Sequence, residues 1–406
     1  MPVSSWRDVA ERPLRIALFT YSTRPRGGVV HALELAEALA ELGHQVRLFA
    51  LEKPGRSGFF RPTDIPASFI PVDEDTDETM DERIARYIEA YVVYLARELS
   101  ARHVYDVYHA EDCISGNALV RLRRLGRVPH VVRTVHHVDD FPSPALMGCQ
   151  RDSIVDPDTV LVVSEWWRHR LAEDFGVDAQ VVHNGVDLRH FTPPQNSTAR
   201  EADRARLGVS GRTVILSVGG VEPRKNTLVL LDAFVRARRP IREATGLSPI
   251  LVIAGGATLF DYREYRDAFE LEVARLVKVG LLEPDSVLRT GPIGNDELLA
   301  HYRAADVLAF PSLNEGWGLT VLEAQATGTP VVASDLPVLR EYLVHESNAL
   351  LVPPEDPDAI AGALLRAVAD RALAATLRQH GFETARRYDW ESSAIRHVRI
   401  YRDMPR

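Results

Sequence analysis

Short β-branched runs alternate with helical stretches along almost the whole of this 406-residue chain. Parallel strands need helical crossovers between them, so such alternation reads as an α/β protein built on parallel sheets. RIALFT (15–20) predicts the first strand. A polar loop from Ser22 to Gly28 follows, then an amphipathic helix through about Leu42, stopped by Gly43. QVRLFA (45–50) predicts the second strand. A long Pro/Gly-rich segment (52–71) and an acidic stretch lead into a helix at about 79–101, and strands are expected at 105–109, 130–135, 159–163 and 180–183. The segment 191–211 breaks the rhythm with Pro193, Pro194, Asn196 and Ser197 and a short charged helix, and reads as a linker. At TVILSV (213–218) the pattern begins again, with strands expected at 251–254, 287–290, 307–310, 330–333 and 349–352. The chain therefore divides into two similar halves, 1–190 and 212–387, with a terminal helix at 388–406 expected to return to the first. Ligands of such sheets sit beyond the carboxyl ends of the strands, so the expected site is a cleft between the two domains.

Charge and cysteine content narrow the function classes. A net charge of −9 argues against broad nucleic-acid binding while leaving room for a local basic pocket. No signal-peptide-like stretch opens the sequence and no run of about 20 apolar residues predicts a transmembrane segment. Cys113 and Cys149 are far apart in sequence, with neither metal-ligand spacing nor a disulfide framework. The expectation is a cytoplasmic protein, with peripheral contact at the inner membrane face left open and the oligomeric state unassigned.

Four motifs carry chemistry. The first is Pro311 to Val331, which follows the apolar run VLAF. Glu315 lies in its loop, Gly316 and Gly318 allow close backbone approach to a ligand, and a helix starting near Leu319 favours an anion at its N-terminus. Glu323 lies one turn into that helix. Two carboxylates flanking an anion site suit hydroxyl pairs, although a surface loop with acidic residues near a positive helix end fits the spacing equally well. The second motif is Ser217-Val218-Gly219-Gly220-Val221-Glu222-Pro223-Arg224-Lys225-Asn226. Its Arg224 and Lys225 stand where a strand hands over to a helix, and an exposed basic pair there would oppose the helix dipole. Lys225 is one of three lysines among 48 basic residues, with Lys53 and Lys278. The third is Arg26-Gly27-Gly28-Val29, which is not a dinucleotide fingerprint and by itself is no more than a tight turn. The fourth is His136-His137 with Asp139 and Asp140 beyond a strand. Adjacent histidines on extended backbone point to opposite sides, which disfavours a shared metal ion. Asp73-Glu74-Asp75 and Asp75-Thr76-Asp77 match Asp-x-Asp literally, but in an acidic loop before a helix.

The frame around Glu315 and Glu323, N-E-G-W-G-L-x-x-x-E-A-x-A-x-G-x-P-V-V, resembles the signature of the family 4 glycosyltransferases, and the resemblance covers nearly the whole chain. It implies the GT-B fold, two Rossmann-like domains around a cleft. It further implies that Glu315 contacts the transferred sugar, that Glu323 binds the ribose hydroxyls of the nucleotide, and that the backbone of Gly316, Trp317, Gly318, Leu319 and Thr320 holds sugar and diphosphate. By the same resemblance Arg224 and Lys225 bind the donor diphosphate beside Gly220, Gly28 lies against the donor phosphate, and His136 lies near sugar and acceptor. Many relatives have Asp where His137 stands, which makes His137, with Asp139, an acceptor-side candidate. His183-Asn184-Gly185-Val186-Asp187 resembles the segment that closes the first domain, and Trp390 is expected to pack.

The resulting expectation is a retaining transfer of a glycosyl group from a nucleotide-diphosphate sugar to a small-molecule or lipid-linked acceptor. The sequence offers no compelling protein nucleophile. It also supplies fixed cations for the leaving group, so no metal and no cofactor beyond the nucleotide sugar is expected. The rival readings are a GT-B epimerase or phosphorylase and an inactive nucleotide-sugar-binding protein. Neither nucleobase, sugar nor acceptor is legible.

Overall fold

The structure is a computed structural model and describes residues 12–53, 55, 58–73, 78–98, 104–141, 143–256 and 262–404. The chain divides into two compact units: one comprises residues up to 163, 167–182 and the segment from Trp390 onward, the other residues 164–166 and 183–389.

In the first unit the strands, all parallel among the described residues, are β1 (Arg15–Thr20), β2 (Gln45–Glu52), β3 (Ala67–Pro71), β4 (Val107–Ala110), β5 (Val132–Val135), β6 (Thr159–Val162) and β7 (Gln180–Val181). Between them run α1 (Gly27–Glu41), α2 (Met80–Glu98), α3 (Cys113–Arg124), α4 (Pro144–Val155) and α5 (Glu165–Phe175). The strand order is β3-β2-β1-β4-β5-β6-β7. The chain thus builds outward from β1 in one direction, returns, and builds outward in the other. The loops after β1 and β4 diverge at this reversal, which is where open α/β sheets bind ligands. Ile16, Leu18 and Phe19 of β1 are fully buried, as a strand covered on both faces requires. β3 lies inside the Pro/Gly-rich segment that had shown no strand signal.

The second unit begins with α6 (Ser197–Arg206) and repeats the plan. Its strands are β8 (Arg212–Val218), β9 (Ser248–Ala254), β10 (Val287–Gly291), β11 (Val307–Phe310), β12 (Val331–Ser334) and β13 (Leu350–Val352). Its remaining helices are α7 (Thr227–Thr245), α8 (Arg263–Lys278), α9 (Asn295–Ala304), α10 (Leu319–Ala326), α11 (Pro357–Ala369) and α12 (Arg371–Ala385). The order β10-β9-β8-β11-β12-β13 puts the reversal between β8 and β11. Ile215, Phe234, Leu251, Ile253 and Leu364 belong to a core packed against this sheet. The 191–211 segment, expected as a linker, is tied into this unit. Arg200 and Arg204 of α6 hold Asp306 at 2.8 and 2.7 Å, and Asp306 also accepts from the Val214 backbone at 2.8 Å.

The last helix, α13 (Trp390–Asp403), belongs to the first unit. Trp390, His397 and Tyr401 are buried on it. The Trp390 and His397 rings lie 5.3 and 5.9 Å from that of His31 on α1, and the Tyr401 hydroxyl is 2.7 Å from His109 Nδ1. Among the described residues, no helix is long and apolar enough to cross a membrane.

Candidate functional site

The reversal in the second unit gathers the residues expected at the donor. After β8 the chain runs through Gly219 and Gly220 at φ of 127° and 79°. A side chain at Gly219 would strike Lys225 Cε at 2.6 Å, and one at Gly220 would strike the Gly256 carbonyl oxygen at 2.6 Å. Gly255, at φ 124°, lies equally close to this turn. Two glycine pairs, one after β8 and one after β9, therefore meet backbone to backbone where no Cβ fits. Gly255 and Gly256 were missed in the sequence, although the Gly-Gly directly after LVIA was the available signal.

A short 3-10 turn, Pro223–Lys225, follows, and Asn226 takes a left-handed φ of 56° before α7 begins. A non-glycine residue in this conformation carries backbone strain, and it sets Arg224 and Lys225 on the turn rather than on the helix. Their charges converge on one atom. Lys225 Nζ donates to Glu315 Oε1 at 2.8 Å and Arg224 Nη1 donates to the same oxygen at 3.0 Å. Arg224 also donates to the Asn314 carbonyl, and the Leu313 backbone donates back to the Arg224 carbonyl at 2.9 Å. The loop after β11 is thereby stitched to the loop after β8. Burial would raise the Glu315 carboxyl, but the charges of Lys225 and Arg224 outweigh it and hold the group at about 2. Burial lowers Lys225, and Glu315 opposes that shift. The buried Glu222 of the same turn also acts on Lys225 and favours its charged form. The Lys225 ammonium further lies 4.7 Å from the centre of the Phe310 ring.

Gly318, at φ 91°, precedes α10 without a side-chain cap. The first N–H groups of Leu319 and Thr320 thus open an uncapped helix end. Gly316 completes the glycine frame, and Trp317 is buried. The Trp317 ring stacks on His183 at 4.5 Å and packs against Tyr342 and Tyr388, while its carbonyl accepts from the Tyr342 hydroxyl at 2.7 Å. Glu323 accepts from the Tyr302 hydroxyl at 2.6 Å and is close enough to Lys225 to feel its charge. Its burial pushes its carboxyl up to about 7, with the Tyr302 hydrogen bond opposing. The two glutamates are therefore electrostatic opposites: one ionised at any physiological pH, the other poised near neutrality.

In the first unit the first turn of α1, which takes in the Gly27-Gly28 expected as loop, and the loops after β4 and β5 bring Gly28, Glu111 and His136 together. A Cβ on Gly28 would meet the His136 ring at 3.4 Å. His136 Nε2 lies 3.0 Å from Glu111 Oε2, and burial pushes the imidazole down to about 4 against that hydrogen bond. His31 Nδ1 lies 3.0 Å from the same oxygen. One ligand atom each of His31, Glu111 and His136 lies within 4.8 Å of the others, a grouping the sequence had not pointed to. Glu111 and His31 were not singled out in the sequence, because each looks like an ordinary residue of a strand end or a helix. His137 is apart from this group, with Nε2 3.0 Å from Asp139 Oδ2. The adjacent histidines thus serve different partners, as their alternation predicts.

Of the acidic loop only Asp73 is described; residues 74–77 lie outside the described residues. Cys113 and Cys149, distant in sequence, share Asn117: its Nδ2 donates to the Cys113 carbonyl at 2.8 Å and to Cys149 Sγ at 3.4 Å. Both are free thiols, and the hydrogen bond with Cys113, reinforced by burial, pushes Cys149 up.

Two family models match the chain: glycosyl transferases group 1 over residues 199–384 and glycosyltransferase family 4 over residues 25–190. The D-inositol 3-phosphate glycosyltransferase of Xylanimonas cellulosilytica is 30% identical over 95% of this chain and 96% of its own length. The protein of that name from Jonesia denitrificans is 29% identical over 95% of each chain. Among solved structures, a sucrose-phosphate synthase from Thermosynechococcus elongatus superposes with a TM-score of 0.78 at 25% identity, covering 96% of this chain and 98% of that one. Anabaena HepE in complex with UDP and glucose superposes with a TM-score of 0.76 at 17% identity, covering 96% of this chain and all of that one.

Proposed function

We propose that this chain, which belongs to the family 4 glycosyltransferases of the GT-B fold and is a transferase acting on a nucleotide sugar, moves the sugar with retention of configuration and without a divalent ion at the diphosphate. The observation that carries the reading is the convergence of Arg224 and Lys225 on Glu315 beside the uncapped start of α10. A departing diphosphate needs positive charge and oriented N–H groups, and both stand there in fixed positions. Arg224 and Lys225 hold the diphosphate, Glu323 accepts from the ribose hydroxyls, and Glu315 from the sugar. The second unit binds the donor; Gly28 serves its phosphate, His136 serves the sugar and the acceptor as a catalytic residue, and His137 and Asp139 belong to the acceptor side.

In the proposed step the anomeric carbon–oxygen bond to the β-phosphate breaks and a bond to the acceptor oxygen forms on the same face. The acceptor proton passes to the leaving diphosphate. No protein nucleophile is required. The reaction is placed in the cytoplasm, with peripheral membrane contact where the acceptor is lipid-linked. The curated relatives' names make D-inositol 3-phosphate the first acceptor to try.

The test is a panel of UDP-, GDP-, ADP- and TDP-sugars with D-inositol 3-phosphate and with extracted small-molecule and lipid acceptors, in buffer without added divalent ions. An acceptor-dependent product with the donor's anomeric configuration, read by NMR, is expected. An inverted product, or turnover only on addition of millimolar magnesium or manganese, would sink this mechanism. Conversion of the donor sugar to an epimer without an acceptor would instead identify an epimerase.

A further inference from the structure

We propose that His31, Glu111 and His136 bind one divalent transition-metal ion of the zinc class in the first unit. The three come from three elements: His31 from the start of α1, Glu111 from the residue after β4, and His136 from the residue after β5. One ligand atom of each lies within 4.8 Å of the others. His31 Nδ1 and His136 Nε2 each lie 3.0 Å from Glu111 Oε2. Donors bound to one ion at about 2.1 Å lie roughly 3.0–3.4 Å from one another, which the two histidine–carboxylate distances match; an ion would draw the two histidine nitrogens to that spacing as well.

Hydrogen bonding alone leaves the group incomplete. His31 Nδ1 lies 3.0 Å from Glu111 Oε2 in poor hydrogen-bond alignment, and His31 Nε2 is buried without a hydrogen-bond partner. Glu111 Oε1 is likewise buried without a hydrogen-bond partner. Its neighbour His109 is 3.6 Å away, and that ring is already engaged by Tyr401 and Thr134. Atoms that approach one another closely but off axis are what a shared central ion produces, because lone pairs then aim at the ion. Two imidazoles and a carboxylate suit zinc and its neighbours in the first transition row. His31 and Glu111 side chains are inaccessible, whereas His136 is 15% exposed and lies under Gly28. Three protein ligands leave a coordination position for a water or a substrate oxygen on that side. The ion is separate from the leaving-group chemistry, which uses the second unit's fixed charges, and its test needs no substrate.

The full chain, without a histidine tag, is purified from zinc-supplemented cells and its metal measured by mass spectrometry. About one ion per chain is expected, and cobalt added to the stripped protein should give visible d–d absorption. His31→Gln and Glu111→Gln should each weaken zinc binding at least about tenfold while circular dichroism is retained; His137→Gln should not. Less than about 0.1 ion per chain, with zinc affinity weaker than about 10 μM by indicator competition, would overturn the proposal. Undiminished binding in folded His31→Gln, or loss of binding in His137→Gln, would also overturn it. Should the ligand variants unfold, the cobalt spectrum of the unaltered chain decides: no d–d band means no site.

Discussion

Glu323→Gln should stabilise the protein as pH rises while weakening its grip on the nucleotide. The carboxyl of Glu323 goes from an ordinary value of 4.5 to about 7 on folding, because burial disfavours its charge. A group raised in the folded state contributes stability that is fully present below its unfolded value and lost as pH rises through the folded one. For Glu323 that loss falls between about pH 5 and pH 8. A shift of some 2.5 units at 1.36 kcal/mol per unit sets a ceiling of about 3 kcal/mol, of which about 2–3 kcal/mol disappears in that window. Glutamine keeps an oxygen to accept from Tyr302 but does not titrate. Relative to the unaltered chain, the variant should therefore gain about 2–3 kcal/mol between pH 5 and pH 8. Parallel denaturant-unfolding curves of the two full-length proteins at pH 5, 6.5 and 8 measure the difference, in which other titrating groups cancel. A difference that is flat with pH, or one in which the unaltered chain gains as pH rises, would refute the electrostatic reading of this site. Nucleotide-sugar binding supplies the counterpart. If the ionised carboxylate accepts the ribose hydroxyls, affinity should fall about tenfold from pH 8 to pH 6, and the variant should lose that slope.

Lys225→Ala should cut turnover about 10²–10³-fold, the scale of removing one preorganised charge partner of a leaving group, and should weaken nucleotide-diphosphate binding; near-normal steady-state turnover would remove Lys225 from the diphosphate. Glu315→Gln should leave the affinity for bare nucleotide nearly unchanged by calorimetry while depressing transfer, and the reverse pattern would exchange the roles of the two glutamates. Gly220→Ala should destabilise the second unit by about 1–3 kcal/mol or more, since it forces a side chain into a left-handed turn and against the Gly256 carbonyl; an unchanged denaturation midpoint would contradict the close approach.

Features set by local chemistry were legible in the sequence, and features set by distant contacts were not. β1, β8 and β11 coincide with apolar runs because both faces of a central strand are covered, so burial itself writes the pattern. β3 was hidden because prolines and glycines surround a strand of only five residues at the sheet edge. Arg224, Lys225 and Glu315 were each identifiable from their motifs. Their convergence on one oxygen was not, since 90 residues separate Lys225 from Glu315 and only the strand order brings their loops together. Glu111 and His31 went unseen for the same reason: His136 was weighed against its sequence neighbours, whereas its partners arrive from β4 and α1. The contrast between an ionised Glu315 and a half-titrated Glu323 depends on burial and on which cation is adjacent, and neither is encoded in a seven-residue spacing.

The placement of α13 has a consequence for how the molecule is made. The second unit is, apart from three residues, one continuous run from 183 to 389 and can close as it emerges from the ribosome. The first unit, although synthesised first, lacks Trp390, His397 and Tyr401 until the whole second unit has been made. At about 5–20 residues per second, the 219 positions between Val182 and Tyr401 take roughly 10–40 s to produce. Throughout that interval His31 and His109 lack the aromatic cover they have in the finished fold. The earliest part of the chain is thus the last to be completed. A truncation before Trp390 would register as a defect in the amino-terminal sheet rather than in the sequence beside it.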